Sequence, residues 1–125
     1  MNMGSGHHKL AHSSRGEGVK KQGLWDQFLS KQFGYFVNKL AGFKEMGQPL
    51  LDNTVILYGS SNSKTHNNTK YPLMLCGGKN FGFKHNQHVK YEQSIPMSNL
   101  LLTVLNKMNV PAKSFADSNG ILEEI

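Results

Sequence analysis

The chain has 125 residues, enough for one modest core, and its 38% hydrophobic and 10% aromatic content excludes an intrinsically disordered chain. The net charge of +6 comes from scattered lysines and one arginine, Arg15, which excludes the arginine clusters and basic-aromatic stripes typical of a nucleic-acid binder. One cysteine, Cys76, excludes an internal disulfide and a cysteine-based zinc cluster, and no apolar stretch approaches the roughly 20 residues that cross a bilayer.

Residues 1–22 are polar, glycine-punctuated and aperiodic, so they read as loop or as a segment ordered by something else. They form a leader with a histidine motif and no hydrophobic signal-peptide core. From about Leu24 to Met46 the pattern changes. Trp25, Leu29, Phe33, Phe36, Leu40 and Phe43 recur at steps of three and four, which predicts a helix that Gly47 and Pro49 end.

A β-branched run, Thr54 to Tyr58, has no alternation and predicts a strand covered on both faces, as in a parallel sheet. A polar loop, Ser61 to Lys70, separates it from a second apolar run, Tyr71 to Cys76, which stops at Gly77-Gly78. In that run Cys76 reads as a small buried hydrophobe. Phe81–Phe83 and His88–Tyr91 predict a hairpin. After Pro96, Met97, Leu100, Leu101, Val104, Leu105 and Met108 predict a second helix that ends before Pro111.

Two apolar strands require helices on both faces, yet only one long helix precedes them and one follows. The expected fold class is therefore α/β: a partial three-layer sandwich, mostly parallel sheet with flanking helices, spanning residues 23–125. The expected partner is either a missing N-terminal part of the fold or another protomer.

The histidines are the notable reactive groups. His8 and His12 stand at i and i+4, so one helical turn would place both on one side, a spacing that suits a single metal ion. His66 lies in the loop after the first buried strand, at the end of α/β sheets where ligands collect. Together the three imidazoles could hold one divalent ion, zinc or a similar metal. The bland alternative is also open, because such pairs are common and glycine-rich leaders do not reliably form helix. His85 and His88 read as surface loop residues, and Asp26, Asp52 and Asp117 as surface or turn. The sequence offers no Ser-His-Asp set, phosphate loop or paired carboxylates.

The blocks Leu50-Leu51-Asp52-Asn53 with Thr54 to Ser60, then His66, Tyr71 to Gly78, Asn99 to Leu102 and Phe115 to Gly120 resemble, in order, those of the bacterial HXXSHH family. The naming motif departs at two positions: Ala11 stands where the family has serine, and Ser13 where it has its last histidine. The family is in turn distantly similar to the alkaline phosphatase and sulfatase superfamily. That likeness implies an alkaline-phosphatase-like C-terminal portion and an exported or periplasmic address for full-length relatives. It also implies a metal, zinc or manganese, at His8, His12 and His66. Ser60 and Ser61 would fall where the superfamily has Asp-His ligands.

Three functions remain open. One is the C-terminal fragment of a hydrolase-like protein with a single residual metal site. A second is a non-catalytic binding or structural module of an exported protein. The third, a basic polyanion-binding domain, has the least support.

Overall fold

A computed structural model describes residues 6–13, 15–63 and 66–125; the leader's opening Met1 to Ser5, and Lys64 among the scattered lysines, lie outside the described residues. Helix formation starts earlier than hydrophobic periodicity implies. A short helix, α1 (His7–Ala11), precedes a 26-residue helix, α2 (Glu17–Gly42), so much of the expected leader loop is helical. The first turns of α2 carry Glu17, Lys20 and Lys21, which are good helix formers that leave no apolar stripe to read. Glu17 also suits the positive end of the helix dipole.

α2 stops at Gly42, not near Met46. Phe43 turns extended, and β1 (Lys44–Glu45) pairs antiparallel with β2 (Gln48–Pro49). Met46 and Gly47 have φ of 49° and 82°, the left-handed pair that a type I′ hairpin turn needs. Gly47 is thus a turn residue rather than a helix stop.

A 3-10 turn at Leu50–Asn53 leads into β3 (Val55–Gly59), which pairs with β4 (Leu73–Gly77). The pairing is antiparallel, with Val55 opposite Gly77 and Gly59 opposite Leu73. This corrects the expected fold. In place of a mostly parallel sheet in a three-layer sandwich, the described residues form three α-helices and two separate two-stranded antiparallel sheets. Parallel neighbours need a long crossover, usually a helix. The described part of the β3–β4 connection is polar and holds no helix, so the chain doubles back.

α2 meets this strand pair at Tyr58, where the Phe33 ring stacks on it with centroids 4.2 Å apart. Directly opposed residues share a face, so Ile56, Met74 and Cys76 lie on the Tyr58 side. Cys76 is half-buried rather than fully buried as expected, and burial pushes its thiol above its ordinary value. Gly77 has φ of +76°, and a Cβ there would collide with the Thr54 carbonyl oxygen. The Gly77-Gly78 pair therefore lets β4 leave the sheet close against the Leu50–Asn53 turn, where Gly78 N donates to Leu51 O at 3.0 Å.

The expected hairpin over 81–91 does not form. Lys79–Phe81 is a 3-10 turn, and the residues beyond it form no strand pair; several of them bond to the C-terminal tail. Lys84 Nζ donates to Glu123 O at 2.8 Å and Gln87 Nε2 to Glu124 O, and the Tyr91 phenol lies beside the Glu124 carboxylate. Desolvation, followed by that contact and the Glu124 charge, pushes the Tyr91 phenol up; the same contact draws the Glu124 carboxyl down.

The last helix, α3 (Met97–Lys107), agrees with expectation in extent but not in face. Its buried residues are Ser98, Asn99, Leu102 and Thr103, while Met97 and Met108 of the predicted stripe are exposed. Ser98 Oγ donates to Asp117 Oδ1 at 2.6 Å. Asn99 donates to Asn119 Oδ1 at 2.8 Å and accepts from Asn119 N at 2.9 Å. Thr103 Oγ1 accepts from Leu122 N at 2.8 Å, and Leu122 and Ile125 are buried with Leu102 and Phe83.

Coverage of apolar surface is incomplete. A folded monomer of 14.0 kDa exposes about 6,700 Å², whereas this chain exposes 9158 Å². No residue of α2 is buried.

Candidate metal centre

Imidazoles bind a metal only when their nitrogen lone pairs converge, so backbone placement decides the matter. On α1, His8 and His12 lie one turn apart, with His12 N donating to His8 O at 3.3 Å and their rings 4.6 Å apart. Leu10, between them in sequence, points the other way and is 4% exposed. Burial of Leu10 therefore orients both histidines outward. His7 is turned aside as well, its ring 5.5 Å from that of Trp25 on α2.

His66 reaches the same spot from the β3–β4 connection. Beside His66 in sequence, Asn67 O accepts from Ser63 N at 2.8 Å. Asn67 Oδ1 in turn accepts from Thr69 N and Thr69 Oγ1 at 2.9 and 2.7 Å. The His66 ring lies 4.9 Å from that of His12 and 6.0 Å from that of His8.

One ligand nitrogen from each of His8, His12 and His66 lies within 4.8 Å of the others, and all three side chains are exposed. Tetrahedral ligands about 2.1 Å from zinc stand about 3.4 Å apart, so an ion would draw the rings together by roughly 1 Å. Nothing opposes that contraction, since no hydrogen bond among the described residues fixes the three rings. The three histidines named from spacing are therefore close enough to hold one metal ion.

The other candidate groups serve the fold. His85 Nε2 bonds Gly77 O at 2.7 Å, and His88 is exposed. Ser60 Oγ accepts from Asn62 N at 3.1 Å and Ser61 Oγ from Asn62 Nδ2 at 3.4 Å, so both hydroxyls brace their own turn. Asp26 accepts from Gln22, and Asp117 anchors α3 to the tail. The sequence blocks around Asn53, Asn99 and Asp117–Asn119 likewise carry polar side chains that bond one another; Asn53 Oδ1, for example, accepts from Asn80 Nδ2 at 2.8 Å.

Comparison of the chain with protein-family models, with curated proteins and with solved structures gives no match. The site must therefore be judged on its own chemistry.

One contact holds the histidine helix in place without touching a metal. A Cβ on Gly18 would collide with Ser13 Oγ and sit 2.5 Å from Ser13 Cβ. Helix propensity alone predicts that Gly18→Ala strengthens α2 by up to about 1 kcal/mol. The collision works the other way on the site, because α1 must back away from α2. The expected result is unchanged or higher helicity by circular dichroism together with several-fold weaker zinc binding by calorimetry.

Proposed function

We propose that this chain is a metal-holding module in which His8, His12 and His66 bind one zinc ion. The observation that carries the reading is the convergence of three imidazole nitrogens within 4.8 Å from segments far apart in sequence. Zinc is preferred to manganese because the ligand set is all imidazole and has no carboxylate, and manganese favours oxygen donors. Three protein ligands leave a fourth position open, as in zinc sites that activate water. On the likeness to the HXXSHH family, this module is the C-terminal part of a hydrolase-like protein.

A second reading, a non-catalytic binding or structural module, is favoured by one observation. Around the three histidines the described polar groups bond their own turns, and none is placed as an acid or base beside the cluster. The two readings share the metal and differ in chemistry.

Metal analysis of the purified chain after incubation with equimolar zinc or manganese and gel filtration tests the shared claim. One zinc per chain and little manganese is the expected result; no retained zinc would overturn it. Hydrolysis of generic aryl phosphates or sulfates by the zinc-loaded chain would support the hydrolase reading. Zinc retention without turnover supports the structural one.

A further inference from the structure

We infer that α2 pairs antiparallel with α2 of a second copy of this chain across a two-fold axis. One face of the helix is already engaged: Trp25, Leu29, Phe33 and Leu40 are half-buried toward the rest of the molecule. A second stripe, Leu24, Phe28, Lys31 and Tyr35, recurs at steps of four, three and four on another side, so these four residues lie in one row. Its apolar members stand in solvent, Leu24 at 48%, Phe28 at 43% and Tyr35 at 61% exposure.

This row is self-complementary. A two-fold interface sets each residue against another at the same distance from the axis. With the axis between Leu29 and Ser30, Leu24 meets Tyr35 of the other copy and Phe28 meets Lys31. The first pair is aliphatic on aromatic. The second is a cation over a ring, a contact the helix already makes within itself, where Lys39 Nζ lies 5.4 Å from the Tyr35 centroid. An unrelated partner would need no such palindrome.

The area agrees. The chain exposes 9158 Å², about 2,500 Å² more than a monomer of its mass should, and a standard interface covers about 800 Å² of each partner. Charge opposes the pairing, since each copy carries +6. Salt screens that repulsion, so association should tighten as salt rises, the reverse of what an acidic partner would show.

Sedimentation velocity of the full chain at about 100 µM, in about 0.1 and 0.5 M sodium chloride, tests the proposal. The expected result is a dimer that tightens with salt. Phe28→Lys should weaken it at least tenfold, because it sets a second ammonium against Lys31 of the other copy, with helicity by circular dichroism unchanged. The exchange F28K/K31F should restore dimer relative to Phe28→Lys, because it reverses each pair without removing it. A monomer in both salts would overturn the proposal, as would a dimer indifferent to Phe28→Lys or an exchange that fails to restore association. None of these outcomes depends on metal binding.

Discussion

His66→Ala is expected to lower zinc affinity by at least about 100-fold, since even groups that merely support a ligand are worth 10–100-fold. The residue brings no other bond among the described residues, and the bonds among Ser63, Asn67 and Thr69 do not involve its ring. The variant isolates the claim that a distant loop completes the site. His8 and His12 would remain as an i, i+4 pair on a five-residue helix, and such a pair alone binds weakly. His88→Ala removes an exposed imidazole outside the cluster and should leave affinity unchanged. Competition titration against a chromophoric chelator reads both. Equal affinity for the wild type and His66→Ala would mean that any zinc is held by the leader alone.

Acid should weaken the same site. Protons compete with zinc for the imidazole lone pairs, and three ligands take up as many as three protons on release. The logarithm of affinity should therefore fall by up to about three per pH unit once the histidines are protonated. Zinc should also stabilise the fold, because it ties α1 to the β3–β4 connection and binds the folded chain alone.

What could be read from the residues follows their physical type. The site was legible because i, i+4 spacing and a post-strand loop are local facts, and His8, His12 and His66 do meet. Strand positions were legible too, since Thr54–Tyr58 and Tyr71–Cys76 nearly match β3 and β4. Their direction was not. An unbroken apolar run marked a strand but not its burial, since no residue of β3 or β4 is buried and Leu57 and Met74 are exposed; parallel or antiparallel pairing depends on whether the connection can cross over, and the described Ser- and Asn-rich segment forms no crossover helix. The start of α2 escaped notice because Glu17, Lys20 and Lys21 favour helix without marking a face. The hairpin over 81–91 failed for a long-range reason: Lys84 and Gln87 are bonded to residues 123 and 124, which no local pattern shows.

The α3 face is the sharpest example and yields the largest expected loss of stability. Hydrophobic periodicity picked Met97, Leu100, Leu101, Val104, Leu105 and Met108, yet three of the four buried positions are polar. Asn99 is 2% exposed, and its amide fills a two-bond bridge to Asn119, donating at 2.8 Å and accepting at 2.9 Å. Asn99→Leu keeps the approximate volume and gains hydrophobicity, so a reading by apolar content alone predicts a more stable helix. The hydrogen-bond argument predicts the reverse. The leucine leaves the Asn119 amide N–H and side-chain carbonyl without partners, at about 1–3 kcal/mol for each group that stays buried. Asn119 is itself exposed and recovers some of this from water, which brings the expected loss to about 2–3 kcal/mol. Against the typical 5–15 kcal/mol of a small domain that is a large fraction, and it should appear as a lower urea midpoint. Because the bonds of Asn99 run to the tail and not to the histidine segments, zinc affinity of the folded variant should not change. A midpoint equal to or above wild type would mean that burial, not the polar bridge, fixes α3 to the tail.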